Sequence, residues 1–366
     1  MIIRLWLLLI LFTGFFARGQ ALFGYVYDEA ENLPLQGANV YIDGTTINTS
    51  TNEKGFFKIN IPQGYRSPVI ISYIGFESIT LDDPSQYEKG VKVLLRESTV
   101  TLNEVVIDKN PPFTRKQMLK AFRRQFLGTS RNGNSCKIEN EEVILLRYDS
   151  KTNTLLAKAT EPLHITNKRL QYDINFNLAY FNVDYQRQSL EDADVIKSFY
   201  AGTTFFTDVS KNGSADDKRK ENYLGSVAHL MKTMASNTWA AQKFGLFYKS
   251  FPANPQQYLK LKDTLDLVKV EVVNLPAPKQ PGKIIIAGGP PGIDGNITKK
   301  MESRQPQKAF DILYNGKEQS NIVFESEGLY IDKNGLFFPI TGISFGGYMA
   351  KLKAGDLLPI DYIYKD

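Results

Sequence analysis

Apolar and polar residues alternate in short runs between Gly24 and Leu95, and this alternation restricts what the segment can fold into. A period of two places every second side chain on one face of a β-strand. The runs cover residues 38–42, 57–61, 69–74 and 91–95, with glycine, asparagine, aspartate and proline filling the gaps. Because those residues favour turns, the segment is predicted to form short strands joined into a small antiparallel β-sandwich.

The same segment has a recognisable pattern of glycines, threonines and apolar residues. The pattern runs through Gly24-x-Val26-x-Asp28, Pro34-Leu35-x-Gly37-Ala38-x-Val40, Gly44-Thr45, Thr49/Thr51, Gly55-x-Phe57-x-Ile59, Tyr73-Ile74-Gly75-Phe76 and Leu102-Asn103-Glu104-Val105-Val106. It resembles the carboxypeptidase regulatory-like domain, a transthyretin-like β-sandwich found in envelope proteins of Gram-negative bacteria and before many TonB-dependent outer-membrane receptors. The resemblance implies an accessory module over residues 21–97. It does not imply carboxypeptidase activity, because a fold does not determine chemistry.

The N-terminus has the composition of an export signal. Arg4 precedes an apolar run over residues 5–16, and Arg18 and two small or polar residues follow it. The run is shorter than the ~20 residues that span a membrane, so we expect a signal peptide over residues 1–20, cleaved near residues 19–21. No cysteine stands at the end of the leader, so no lipid anchor is expected. Leader and resemblance together predict export to the periplasm, or to the outer membrane and cell surface, of a Gram-negative bacterium.

Composition argues against several classes of protein. The net charge of +5, which falls by two if Arg4 and Arg18 leave with the signal, is too small to indicate a nucleic-acid partner. Cys136 is the single cysteine, so no internal disulfide can form and stability must come from burial. Aromatic residues make up 12% of the chain, which favours β-rich structure over disorder.

Residues 98–128 are predicted to be a linker and an amphipathic helix. Residues 103–107 are compatible with a last sandwich strand, and Pro111 and Pro112 then break regular structure. Thr114 and Gln117 have the spacing of a capping box, and a glycine follows as a C-terminal stop. The apolar stripe of this helix consists of Met118, Leu119, Phe122 and Phe126.

Residues 129–366 are predicted to form a larger β-rich α+β domain. Turn residues 149–153 separate strands expected at residues 143–148 and 155–159, and a Pro/Gly-rich loop is expected at residues 276–295. Helical spacing of apolar residues predicts one helix over residues 216–235. Further strands are expected at residues 170–181, 202–206, 268–275, 310–314, 321–324, 329–331 and 348–351.

This larger region is similar to one that directly follows the sandwich in a family of envelope proteins. The shared residues are 136–140, 155–162, 165–167, Leu170-x-Tyr172, Tyr200-x-Gly202, Arg219-x-x-x-Tyr223-x-Gly225-Ser226-x-x-His229-Leu230-Met231 and Leu357-Leu358-Pro359-x-Asp361-Tyr362. The similarity implies architecture and brings no established activity with it.

Few residues could carry chemistry. The chain has two histidines, His164 and His229, and lacks zinc-site spacings, a phosphate-binding loop and a nucleophile elbow. We therefore expect no metal, no cofactor and no catalytic residue. The candidates for a functional patch are Arg219, Tyr223, His229 and His164. The first three lie in one matched stretch and share the predicted helix, and His164 lies between two matched stretches.

The predicted fold class is mainly β with a few helices: an N-terminal transthyretin-like antiparallel β-sandwich followed by a larger β-rich α+β domain. The predicted function is that of a secreted, non-catalytic cell-envelope protein, a binding or structural module that contacts a partner through exposed strand edges. The expected partner is an unknown envelope protein or a glycan, with association with the outer membrane left open. Two alternatives remain: a glycan-binding protein that uses its many tyrosines, and an envelope enzyme centred on the helix that carries His229.

Overall fold

The computed structural model describes residues 20–63, 65–87, 89–98, 111–264, 266–275 and 308–364, and these are mainly β, as the sequence predicted. Unit 1 comprises the described residues up to Glu221 together with those from Lys353, and unit 2 comprises those from Asn222 to Leu352. The predicted signal peptide (apart from Gln20), the strand expected at residues 103–107 and the loop at residues 276–295 lie outside the described residues. No helix among the described residues has the length and apolarity needed to cross a membrane.

Unit 1 begins with the predicted β-sandwich. Its strands are β1 Gln20–Asp28, β2 Asn39–Ile42, β3 Asn48–Ser50, β4 Phe56–Ile61, β5 Val69–Ser72, β6 Ile79–Leu81 and β7 Val91–Leu95. One sheet has the order β4-β1-β7 and the other β3-β2-β5-β6, and apolar residues such as Leu22, Val40 and Phe57 fill the space between them. Pairing is antiparallel except between β1 and β7, which run parallel. The chain reaches β7 by crossing from the other sheet rather than through a hairpin, so this pair departs from the antiparallel prediction.

A six-stranded sheet follows the sandwich in unit 1 and is called the second sheet below. Its strands are β8 Cys136–Ile138, β9 Ile144–Asp149, β10 Thr154–Ala159, β11 Leu163–Asn167, β12 Tyr172–Tyr185 and β13 Val195–Asp208. The order is β8-β11-β12-β10-β9, and β13 pairs with β12 along its whole length. Since β10 and β11 pair with opposite ends of β12 and β13 pairs with both ends, β13 forms one edge of this sheet.

Helix α1, Arg115–Phe126, packs on this sheet in unit 1. Thr114 is its N-cap: the Thr114 side chain accepts from the Gln117 N–H at 3.3 Å, and the Gln117 side chain accepts from the Thr114 N–H at 2.8 Å. This confirms the predicted capping box. The predicted apolar stripe faces the sheet, where the Phe122 ring lies 4.7 Å from that of Phe181.

Unit 2 contains two further antiparallel sheets. Their strands are β14 Phe244–Tyr248, β15 Phe251–Ala253, β16 Leu259–Thr264, β17 Leu267–Val272, β18 Ala309–Tyr314, β19 Glu318–Phe324, β20 Leu329–Asp332, β21 Phe337–Phe338 and β22 Ile343–Gly346. The sheet orders are β15-β14-β18-β19-β22 and β16-β17-β20-β21. Buried residues of both sheets and of two helices form a single apolar core in this unit.

The helix predicted over residues 216–235 is two helices, α2 Asp216–Tyr223 and α3 Val227–Ser236. Gly225 separates them with a φ of 81°, which a residue with a side chain rarely adopts. Ser226 then caps α3, because its side chain accepts from the His229 N–H at 3.2 Å. The apolar spacing was correctly recognised, but Gly225 within it lies in a turn and Ser226 is the N-cap of α3.

Two short helices follow in unit 2, α4 Pro255–Tyr258 and α5 Gly347–Lys351. The strand predicted at residues 348–351 is wrong, because α5 occupies these positions. Gly347 has a φ of 67°, and the Met349 N–H donates to the Ser320 side chain at 3.1 Å. Four residues are too few for alternation to distinguish a strand from a helical turn.

Candidate functional site

The loop between β2 and β3 joins the sandwich to the second sheet of unit 1. Thr45 forms a parallel bridge with Phe205 on β13. The Gly44 N–H donates to the Thr204 carbonyl at 2.7 Å, and the Phe206 N–H donates to the Thr45 carbonyl at 2.9 Å. The sandwich therefore attaches to the edge of β13 through backbone hydrogen bonds, the interaction that edge strands favour.

Residues near the C-terminus of unit 1 hold the other side of this loop. The Asp361 carboxylate accepts from the Thr46 N–H at 3.0 Å and also from the Thr46 hydroxyl. The Ile360 N–H donates to the Gly44 carbonyl at 2.8 Å. The Gly44-Thr45 pattern and the Leu357-Leu358-Pro359-x-Asp361-Tyr362 pattern, quoted separately in the sequence, thus meet at one junction.

An open cleft of about 470 Å³ lies beside the junction, within the ~300–1,000 Å³ typical of ligand sites. It collects residues from the sandwich, from β12 and β13, from α2 and from residues 359–363. Its lining comprises Thr46, Tyr172, Asp208, Asp216, Asp217, Arg219, Lys220, Pro359, Asp361, Tyr362 and Ile363. The lining contains neither histidine nor cysteine.

Arg219 forms one wall of the cleft and is 4% exposed. Its guanidinium donates to both Asp208 carboxylate oxygens at 2.7 and 2.8 Å, and to the carbonyls of Leu170 and Gln171. It also lies 3.8 Å from the centre of the Tyr172 ring. The hydrogen bonds from Arg219 hold the pKa of Asp208 far below its usual range, so this carboxylate is ionised and paired.

The remaining charges give the cleft an acidic character. Besides the paired Asp208 and Arg219, the charged residues of the lining are Asp216, Asp217, Asp361 and Lys220. The Lys220 ammonium lies 5.1 Å from the centre of the Tyr364 ring. Three carboxylates and one ammonium favour a ligand with positive charge.

A partly buried carboxylate also lies at the junction. Asp43 accepts from the Thr204 N–H at 2.6 Å. Burial raises the pKa of Asp43 to about 6, although hydrogen bonds from the backbone of Thr204 and Gly44 oppose the rise. The carboxyl of Asp43 therefore titrates in a range where its ordinary counterparts are fully ionised.

His229 and Tyr223, two of the residues singled out in the sequence, lie together in unit 2 with ring centres 5.0 Å apart. The His229 Nδ1 accepts from the Gly225 N–H at 3.1 Å, so Nε2 carries the proton and donates to the Gln242 side chain at 2.8 Å. Burial lowers the pKa of His229. The uncharged His229 ring therefore connects the turn between α2 and α3 to Gln242 through two hydrogen bonds.

His164 lies on β11 in unit 1, with an exposed side chain. Its backbone N–H donates to the Asn140 side chain at 2.9 Å. Of the four residues singled out in the sequence, Arg219 alone lines the junction cleft. The cleft residues Thr46 and Asp208 were missed because a threonine in a turn and an aspartate at a strand end have no distinctive spacing. Asp361 had been quoted within a motif, but nothing in the sequence connected it with Thr46.

Comparison with known proteins identifies the first part of this chain. The chain is 35% identical over 74 residues to the TonB-dependent receptor SusC of Bacteroides thetaiotaomicron; this covers 20% of the chain and 7% of the receptor. The chain therefore spans less than a tenth of that relative. Residues 22–107 match the family described as the CarboxypepD_reg-like domain. The resemblance read from the sequence is confirmed, and the β-sandwich at the start of this chain is a carboxypeptidase regulatory-like domain.

Proposed function

We propose that this chain is an exported, non-catalytic binding protein of the Gram-negative cell envelope, with the junction cleft as its ligand site. The regulatory-like domain, shared with an envelope receptor, supports a binding or structural module. The observation that carries the proposal is the acidic cleft where this domain meets the second sheet. The ligand class is a lysine- or arginine-bearing segment of another envelope protein.

The geometry of the junction supports polypeptide recognition. Within unit 1 the sandwich already binds the edge of β13 through backbone hydrogen bonds, which the Gly44 N–H donates and the Thr45 carbonyl accepts. A partner strand can use the same chemistry at an exposed sheet edge, with side-chain pockets supplying specificity. The cleft offers such a pocket, with carboxylates for a cation and the Tyr362 ring for its apolar stem.

Capture from envelope extracts tests the proposal. The wild-type chain is immobilised beside an Asp216→Asn/Asp217→Asn variant, which neutralises the exposed carboxylates on the first turn of α2. A Glu31→Gln/Glu53→Gln variant removes two exposed charges from the sandwich, away from the cleft, and is the matched control. We expect one protein to be retained by the wild type and by the control and lost from the cleft variant.

The outcomes separate the parts of the proposal. Equal retention by all three chains would place the partner elsewhere on the molecule. Repeated capture of nothing would count against a binding function. The alternative is an enzyme centred on His229. Both ring nitrogens of His229 already make hydrogen bonds, to Gly225 and Gln242, and this argues against that alternative.

A further inference from the structure

The outer face of the β4-β1-β7 sheet is unusual for a sandwich, because it is aromatic. On β1 the inward positions Leu22 and Val26 are buried, yet the outward positions are also apolar or aromatic: Phe23 is 36% exposed and Tyr25 is 44% exposed. A sheet with one solvated face normally alternates apolar and polar residues. A violation of that rule on an exposed surface marks a binding site.

Register places these side chains side by side. Tyr25 pairs with Phe56 on β4 and with Lys92 on β7, and the Tyr25 and Phe56 ring centres are 5.3 Å apart. Tyr27, the next outward position, has its ring 6.4 Å from that of Tyr25. Leu94, opposite Tyr27, extends the surface and is 40% exposed. We call Phe23, Tyr25, Tyr27, Phe56, Lys58, Lys92 and Leu94 the aromatic face.

The charge on the aromatic face is of one sign. Lys58 pairs with Phe23 in the β1–β4 register and is exposed, and the Lys92 ammonium lies 4.8 Å from the centre of the Tyr27 ring. The other outward positions of the three strands are Ala21 and Asn60, so no carboxylate interrupts the face. The face thus joins flat aromatic rings with two ammonium groups.

We propose that the aromatic face binds an acidic polysaccharide. Successive sugar rings would stack their C–H faces on Tyr25, Tyr27 and Phe56, and the carboxylate or phosphate groups of the chain would pair with Lys58 and Lys92. Stacking on neighbouring rings suits a ribbon-like ligand of repeated rings, as it does in other extended-chain binders. This site is separate from the junction cleft, so either can fail without the other.

Binding of the full chain to polygalacturonate tests the inference, with dextran as the uncharged counterpart. Retardation in gels cast with each polysaccharide gives a dissociation constant. We expect retardation by polygalacturonate, weakened by salt, and about tenfold weaker binding for Tyr25→Ser/Phe56→Ser. Lys58→Gln/Lys92→Gln, which leaves the packing intact, should weaken binding by a similar factor and remove most of its salt dependence.

Matched surface variants supply the controls. Tyr180→Ser removes a tyrosine that is 50% exposed on the second sheet, and Lys197→Gln removes an exposed lysine on β13. Both should bind polygalacturonate as the wild type does. Equal loss in the controls, equal retardation by dextran, or binding to phosphatidylglycerol vesicles instead of polygalacturonate would each overturn the inference.

Discussion

The carboxylate of Asp361 accepts hydrogen bonds from the backbone N–H and the hydroxyl of Thr46, a residue 315 positions earlier in the chain. This pair ties residues near the C-terminal end of unit 1 to the loop that attaches the sandwich to β13. The Gly44 and Thr45 contacts of that loop are made by backbone groups, so side chains such as Asp361 and Asp43 are where substitution can test the junction.

Asp361→Ala is expected to loosen the junction. It leaves the Thr46 N–H and hydroxyl without their acceptor, and hydrogen bonds to a charged group contribute about 1.5–3 kcal/mol. Thermal unfolding should show unit 1 destabilised, and limited proteolysis should cut the β2–β3 loop faster. Asp217→Ala removes an exposed carboxylate of the same cleft and should leave both readouts unchanged. Equal effects of the two variants would show that the Asp361 bond is not what holds the loop.

Asp43→Asn is expected to change how stability depends on pH. The pKa of Asp43 is raised from 3.8 to about 6 in the folded protein, so the folded state binds this proton more tightly than the unfolded state. The protonated group therefore stabilises the folded state below pH ~4. The free energy of unfolding falls by about 2–3 kcal/mol as the pH rises from there to ~6. The asparagine side chain of the variant cannot titrate, so the variant should be the more stable protein at pH 7 and similar to the wild type at pH 4.

Chemical denaturation of unit 1 at several pH values measures this difference, with Asp217→Asn as the comparison. A wild-type advantage at pH 7 over Asp43→Asn would contradict the prediction, because it would mean that the ionised carboxylate stabilises the junction.

Arg219→Lys is expected to destabilise unit 1 by about 2 kcal/mol even though it keeps the charge. Lysine cannot donate to both oxygens of Asp208 while stacking on Tyr172 and reaching the Leu170 carbonyl. Arg187→Lys is the matched control, because the Arg187 side chain is 76% exposed and contacts the Asp194 carboxylate through Nε. Denaturant unfolding measures the free energy of unfolding of both variants. A larger loss for Arg219→Lys would show that the hydrogen-bond geometry of Arg219 stabilises unit 1 beyond its charge, and equal losses would contradict this.

Gly225→Ala is expected to destabilise unit 2 more than Gly316→Ala. Both glycines have positive φ, 81° and 67°, so each substitution strains the backbone by ~1 kcal/mol. A Cβ on Gly225 would also lie 2.7 Å from a carbon of the Tyr314 ring, whereas one on Gly316 meets no atom within 4 Å. The difference between the two unfolding free energies isolates the clash, and equal losses would rule it out.

His229 is expected to be neutral at pH 7, with the proton on Nε2. Burial lowers its pKa below the ordinary 6.5, so unit 2 should lose stability as pH falls below ~6.5, where the unfolded chain takes up the proton first. Nitrogen chemical shifts of the ring report the tautomer and its titration. His164→Gln should leave the His229 signals unchanged, and a doubly protonated His229 ring at pH 7 would contradict the hydrogen bonds to Gly225 and Gln242.

Local patterns predicted much of the fold. The alternation in residues 57–61, the Thr114–Gln117 cap and the turn at residues 149–153 all formed as expected, because each depends on neighbours in sequence. In that turn the Asp149 carboxylate accepts from the Lys151 N–H at 2.9 Å. The break at Gly225 was missed because helical spacing continued on both sides of it.

The junction was less accessible to sequence reasoning. Arg219 was recognised as a candidate, but its partners Asp208 and Tyr172 lie 11 and 47 positions away on separate strands. The aromatic face was missed for a related reason. Phe23, Tyr25 and Tyr27 alternate with Leu22, Gly24 and Val26, so only knowledge of which side of β1 faces solvent distinguishes core from surface.

Unit 1 consists of two segments of the chain with unit 2 between them, so it cannot be complete until the second segment has been synthesised. The sandwich and the second sheet are synthesised first, but the carboxylate that accepts from Thr46 emerges only after all of unit 2 has been made. A growing chain would therefore lack part of this junction until residue 361 had been added. A product that ends before residue 360 would leave the Gly44 carbonyl and the Thr46 amide without these two partners.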